Sequence, residues 1–333
     1  MTVQGLPMGA VPATDVAARA AETPMLRAEG LVKTYGRTRA LNGLSLHVPR
    51  GSIYGFVGPN GAGKTTTLRI LATLLTPEGG EAWVDGRLLT ADPAAVRSKI
   101  GFMPDFFGVY DNLTVSEYLD FYAAAYGVSV AESRRTNAEL LELVDLAPKR
   151  DDFVENLSRG MKQRLGLARC LVHNPQVLLL DEPASGMDPR ARYEMREIVK
   201  ELQRMGKTVL VSSHILLELA EMCSHIGIIQ DGRLLREGPV NAILGSLKGA
   251  RSVRIGVMGE VAAAVAVLGG QPGVSDVMPT EDGLEVTFAG DDAATAALLR
   301  ALVEAGIPVL HFARATSSLE EIFMHLTESD DQG

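Results

Sequence analysis

Cysteine is nearly missing from this sequence. Cys170 and Cys223 stand far apart, and neither has a partner at metal-ligand spacing, so neither a disulfide framework nor a cysteine-bound metal centre is expected. Cys170 falls in an apolar helical pattern, Leu167-Ala168-Arg169-Cys170-Leu171-Val172, and reads as a buried, reduced thiol of the kind cytosolic proteins keep. Long apolar runs are missing too. A membrane-crossing helix needs roughly 18–20 uninterrupted apolar residues, and Val261–Leu268, the best stretch, is far too short and mostly alanine. There is no excess of positive charge: 41 acidic against 32 basic side chains give a net charge of -9, which argues against nucleic acid as a partner. No basic start leading into an apolar core occurs in residues 1–24. They are rich in Ala, Pro and Thr, and read as a flexible tail, not a secretory signal.

What is present is enough for two domains, since 333 residues with 46% hydrophobic side chains can fill two ordinary cores. Leu26–Tyr35 and Ala40–Val48 read as antiparallel strands. Ser52–Val57 reads as a compact strand running into a glycine-rich loop and then a helix from about Lys64. Glu81–Leu88, with Asp85-Gly86 at its turn, reads as a hairpin. A mostly helical pattern runs from Leu113 to about Val172. A buried strand follows at Val177, then a helix near Arg190–Met205 and a strand at Thr208–Ser212. Strands interleaved with helices imply a mostly parallel α/β sheet covered on both faces, with the helical block at about 105–172 inserted into it.

After about Gly245 the composition changes. Arg251–Val257, Gly273–Met278, Leu284–Phe288 and Pro308–Ala313 read as strands, with helices between them and one more at the end. This pattern predicts a ferredoxin-like α+β domain over residues 250–327, followed by a disordered acidic end at 328–333. It contains no cluster of catalytic residue types.

The chemistry lies earlier. Gly58-Pro59-Asn60-Gly61-Ala62-Gly63-Lys64-Thr65 fits G-x-x-x-x-G-K-[ST] between a strand and a helix, the context that makes the motif credible. The glycines let backbone N–H groups turn inward around phosphate oxygens, and the helix adds the positive end of its dipole. Lys64 is placed to reach the β/γ-phosphates, the Thr65 hydroxyl to hold Mg²⁺, and Thr66 follows in the same turn. The motif specifies a nucleoside triphosphate without saying which machine uses it. Val177-Leu178-Leu179-Leu180-Asp181-Glu182 supplies the second half, a dry strand delivering two carboxylates at its carboxyl end, where parallel sheets bind ligands. Asp181 suits the oxygen shell of Mg²⁺. Glu182 is placed to polarise the attacking water as general base.

With these two motifs in hand, the chain resembles the ATP-binding subunits of ABC transporters over about residues 26–240. Leu157-Ser158-Arg159-Gly160-Met161 is similar to that family's signature sequence Leu-Ser-Gly-Gly-Gln at its first, second and fourth positions, and departs at Arg159 and Met161. Ser158 can cap the helix that starts here, and with the Gly160 N–H it can face an anion. The resemblance implies that Ser158 and Gly160 meet the γ-phosphate held by a second copy, so that two ATP molecules are sandwiched in a head-to-tail dimer. Ser185-Gly186-Met187-Asp188 resembles the loop that touches the opposite subunit; Asp188 is retained, while Gly186 and Met187 replace Ala-Leu. His214 matches the histidine that hydrogen-bonds the γ-phosphate, although a lone histidine is more often structural. Tyr35, in Lys33-Thr34-Tyr35-Gly36, matches the aromatic that stacks on adenine, with a core tyrosine as the alternative. Pro104-Asp105 replaces the family's glutamine, so Asp105 is expected near Mg²⁺ and the attacking water. Ser317–Phe323 is similar to the end of the small domain of exporter-type subunits.

The implied molecule has a P-loop NTPase domain at 25–245, ATP and Mg²⁺ as cofactors, and no nucleic-acid partner. It would sit peripherally on the inner face of the cell membrane, where a separate integral membrane subunit carries the substrate and docks on the segment Phe106, Phe107, Val109, Tyr110. A soluble ABC-type ATPase acting on a non-transport partner is the first rival, and a small-molecule kinase the second.

Overall fold

The computed structural model describes residues 24–105, 108, 110, 112–243, 250–259, 261–280 and 283–314. The tail at 1–23, the acidic end, the expected last helix, and Phe106, Phe107 and Val109 lie outside them. The chain divides between Gly238 and Pro239 into two compact units.

The first unit contains two sheets. In one, β1 (Leu26–Tyr35) pairs antiparallel with β2 (Thr38–Val48) on one side and β4 (Gly79–Val84) on the other, and β5 (Arg87–Leu88) closes the edge. Period-2 alternation shows in β2, where Leu44, Leu46 and Val48 are buried and Ser45 and His47 exposed. The expected hairpin is present, with Asp85 and Gly86 both at positive φ, 51° and 72°, as its two-residue turn demands.

The other sheet has the order β10-β9-β3-β8-β7-β6. It comprises β3 (Ile53–Val57), β6 (Ile100–Met103), β7 (Val177–Asp181), β8 (Thr208–Ser213), β9 (His225–Gln230) and β10 (Arg233–Pro239). The first five run parallel. Every residue of β3, β7 and β8 is buried, as strands covered on both faces require. Register then fixes the site. Val57 lies beside Ser213, Asp181 beside Ser212, and Met103 beside Leu180. The segments starting at Gly58, Pro104, Glu182 and His214 therefore leave one sheet edge together.

Helix α1 (Lys64–Leu71) follows β3, and the short α2 (Pro93–Arg97) precedes β6. The inserted block holds α3 (Val115–Ala125), α4 (Val130–Leu143) and α5 (Arg159–Leu171). Each begins on a hydroxyl cap: Thr114 with Glu117 in a reciprocal capping box, Ser129, and Ser158. Helix α6 (Pro189–Arg204) lies between β7 and β8. Residues 213–245 carry no element in the sequence reading, yet α7 (Leu216–Ala220) and the β9–β10 pair occupy them, turned at Asp231-Gly232. Tyr54, fully buried in β3, donates its hydroxyl to Glu237 Oε1 at 2.8 Å, and the same oxygen accepts the His47 backbone N–H at 2.9 Å. Burial, with the Glu237 charge and hydrogen bond, pushes the Tyr54 phenol well above its ordinary range.

The second unit runs β11 (Ala250–Val257), α8 (Val261–Gly269), β12 (Val274–Thr280), β13 (Gly283–Ala289), α9 (Asp292–Glu304) and β14 (Val309–Arg314). Its sheet, in the order β12-β13-β11-β14 with all neighbours antiparallel, is the ferredoxin-like arrangement. Val253, Ile255, Val286 and Phe288 pack with Ala264, Leu268, Leu298 and Leu302 into a core of its own.

Candidate active site

Close packing dictates the glycines of the phosphate loop. A Cβ on Gly58 would lie 2.3 Å from the Ile229 carbonyl oxygen, and one on Gly63 would lie 2.6 Å from that of Ala40. Gly63 also adopts φ 109°, a conformation that side-chain-bearing residues rarely take. It leads into α1 without any side-chain cap, so the first amides of that helix are left for another acceptor. Lys64 is nearly buried and folds back across the loop, donating to Gly58 O at 2.7 Å and Pro59 O at 3.2 Å. Its ammonium also lies 3.5 Å from Glu182 Oε1.

The two carboxylates differ sharply in environment. Asp181 is fully buried; its Oδ1 accepts the Ser212 hydroxyl at 2.7 Å, while its Oδ2 has no hydrogen-bond partner. Burial pushes its carboxyl above the usual range, and the negative charges of Asp105 and Glu182 add to this, against the hydrogen bond from Ser212 and the nearby Thr65 hydroxyl. Such a group answers to a cation. Glu182 turns out of the strand at φ 48°, with its N–H donated to Ser212 Oγ at 3.0 Å. That turn brings Oε2 within 2.9 Å of His214 Nδ1. Ser212 thus fixes both acids, and the sequence reading missed it; its one signal was a pair of serines ending a strand just ahead of His214.

A cleft of about 330 Å³ is lined by Ala40, Asn60, Gly61, Gly63, Lys64, Thr65, Thr66, Asp105, Glu182, Ser185 and His214. Nine of those eleven are expected site residues, Ala40 and Ser185 being the additions. Tyr35 does not line it; it ends β1 with 47% of its surface exposed. Ser158 and Gly160 are also elsewhere, at the start of α5, where the Ser158 hydroxyl accepts the Met161 N–H at 3.3 Å. Asp188 caps α6, accepting from Arg190 N and Ala191 N at 3.0 and 2.9 Å.

Residues 41–185 match the family model described as ABC transporter, and residues 238–327 match the C-terminal domain of DrrA1-3-like ATP-binding proteins. The chain is 37% identical over 310 residues to the daunorubicin/doxorubicin resistance ATP-binding protein DrrA of Streptomyces peucetius, covering 92% of this chain and 93% of that one. The chain belongs to the ABC transporter ATP-binding subunits.

Other members of this family are similar along most of their length. Among them are the linearmycin resistance ATP-binding protein LnrL of Bacillus subtilis (32% identity; 91% of this chain, 98% of that one) and the bacitracin transport ATP-binding protein BcrA of Bacillus licheniformis (34%; 91% and 97%). Among solved structures, the ATP-binding subunit of an ABC transporter matches with TM-score 0.61 at 30% identity, over 67% of this chain and 93% of that one. The dimeric cassette MJ0796 matches with TM-score 0.59 at 28% identity, over 65% and 99%. As an ABC subunit, the chain binds nucleotide and hydrolyses ATP, and subunits of this family work with membrane subunits. Among the described residues no helix is long and apolar enough to cross a membrane.

Proposed function

We propose that this chain drives export: two copies close head to tail over two ATP molecules on the inner face of the membrane, and their closing and opening moves a separate integral membrane subunit. One observation carries the composite site. Ser158, exposed, and Gly160, half-buried, stand at the start of α5, outside the cleft that holds Lys64 and Glu182. A helix N-terminus that lies outside its own cleft is left to meet a nucleotide held by a neighbour. Export is supported by the relatives, whose names speak of drug resistance, bacitracin transport and Nod factor export. The C-terminal match to DrrA-type subunits points the same way.

The chain's own groups divide the reaction. The uncapped N–H groups of α1 and the Lys64 ammonium hold the phosphates. Lys64 exchanges Glu182 for a phosphate oxygen, which leaves that carboxylate to take a proton from the attacking water. His214 orients Glu182 through Nδ1 until the γ-phosphate takes the imidazole as its own hydrogen-bond donor. The donor set fits Mg²⁺, because Asp181 Oδ2 is buried without a partner and the Thr65 hydroxyl is a neighbouring hard oxygen. Bound there, the ion would neutralise charge on the β- and γ-phosphates. Asp105 stands at the cleft wall, Tyr35 is kept for adenine, and Asp188 is kept for the seam between copies.

Mixing Lys64→Ala with Ser158→Arg protein tests this. Each heterodimer then contains one intact composite site, and ATPase activity should return in proportion to heterodimer formed. A mixture no more active than either variant alone would show that each chain hydrolyses ATP unaided.

A further inference from the structure

Two positions at which the sequence departs from its family's pattern touch each other. Arg159 stands where the signature has glycine, and Gly186 where the loop after the carboxylates has alanine. A Cβ added to Gly186 would lie 2.4 Å from Arg159 Cζ and 2.5 Å from both Nη atoms, so the guanidinium lies face-on against the Gly186 Cα. Both residues are exposed, and Gly186 adopts φ 67°. A second contact runs beside the first. A Cβ on Gly160 would come within 3.1 Å of Ala191 Cβ, at the base of α6, and 3.8 Å of Met187 Cε.

The loop between Glu182 and Asp188 is built of two linked turns. Ser185 N donates to Glu182 O at 3.0 Å and Met187 N to Ala184 O at 3.3 Å. On the far side, Arg192 Nε donates to Met187 O at 3.0 Å while its Nη1 pairs with Glu218 at 2.9 Å. A shift imposed at Gly186 is therefore passed along two linked turns to Glu182.

We propose that Arg159 is a positioning residue for ATP hydrolysis. Stacked on Gly186, it fixes the Glu182–Asp188 loop against the first turn of α5. The helix end that meets a neighbouring chain's nucleotide and the carboxylate that acts on this chain's own nucleotide then shift as one body. The proposal rests on the composite-site reading above. The two departures are a matched pair: a planar guanidinium needs a residue without a side chain beneath it.

The test is a double-variant cycle in the full chain, with Arg159→Gly, Gly186→Ala and both together. Steady-state kcat, KM and the Hill coefficient for ATP are measured beside nucleotide affinity and Tm. The methyl group of Gly186→Ala displaces the guanidinium, the free end of a flexible side chain, and at φ 67° it also strains the loop backbone, so Arg159→Gly carries the test and Tm reads the strain in Gly186→Ala. Each single variant should lower kcat about ten- to a hundredfold, the scale of a misplaced reacting group. In Arg159→Gly nucleotide affinity and Tm should stay near wild type, and the Hill coefficient should fall toward one. The double variant, relieved of the clash, should turn over no more slowly than the slower single. Three results would each overturn the proposal: losses that multiply in the double variant, an unchanged kcat and Hill coefficient in Arg159→Gly, or full activity in Arg159→Lys, which keeps the charge and loses the plane. A non-multiplicative cycle, found alongside a Lys64→Ala/Ser158→Arg mixture that fails to recover, supports Arg159 positioning Glu182 inside one chain and removes only the composite site.

Discussion

Glu182 holds two partners at once, Lys64 at 3.5 Å and His214 at 2.9 Å. In the proposed cycle a γ-phosphate competes for both, which releases the carboxylate as nucleotide enters. Glu182→Gln keeps the shape and loses the basicity. Turnover should fall by about two orders of magnitude or more, the scale of a lost general base, and size exclusion with Mg-ATP should show a persisting dimer. Near-normal hydrolysis would remove Glu182 from that role. Asp105 presents a different balance. Its carboxylate accepts hydrogen bonds only and repels a γ-phosphate across the cleft, whereas an amide can also donate. Asp105→Gln should raise basal ATPase activity across a Mg²⁺ titration and weaken stimulation by the membrane subunit. Lower activity would mean that the carboxylate itself is required.

At the scale of elements, α3 carries an aromatic surface. Tyr110 meets the ring of Phe121 edge-on at 5.3 Å, and the two are 52% and 48% exposed. Tyr126, at the end of α3, stacks on His173 at 3.8 Å. Exposed aromatics on an inserted domain suit a protein partner better than solvent. Tyr110→Glu should therefore uncouple transport in reconstituted vesicles while ATPase activity of the free subunit survives; loss of both would make this residue part of the core. The strands bearing the site were the most legible elements. The runs at Ile53–Val57 and Val177–Leu180 are uninterrupted and apolar, which only a doubly covered strand requires, and the motifs at their ends gave Lys64, Thr65, Asp181 and Glu182. The β9–β10 pair was signalled only by Asp231-Gly232, with partial alternation around it. Ser212 and the Arg159–Gly186 contact were beyond reach, because each depends on segments far apart in sequence meeting at one sheet edge or one helix end. Side-chain chemistry could be read along the chain; which side chain lies over which backbone could not.

For the molecule as a whole, one ionic cluster ties the antiparallel sheet to the parallel one. Asp85, in the β4–β5 turn, accepts from Arg50 ahead of β3 and from Lys99 ahead of β6. Partial burial acts to raise its carboxyl, but Lys99 and Arg50 outweigh that and hold it below the usual range. A depressed folded-state value means stability that is fully present above about pH 4, the ordinary aspartate value, and lost as pH falls through the lower folded value. Asp85→Asn should cost about 1 kcal/mol at pH 7, allowing for partial exposure of the cluster. In denaturant titrations the gap from wild type should close toward pH 3, and a constant gap would assign the loss to packing instead. The second unit has its own core and continues the chain from Gly238, one residue after Glu237. Glu237 is gripped by Tyr54, and Tyr54 lies on the strand whose last residue, Val57, opens the phosphate loop. The segment that leads into the second unit is thus moored, through one buried phenol, on the strand whose end opens the phosphate loop.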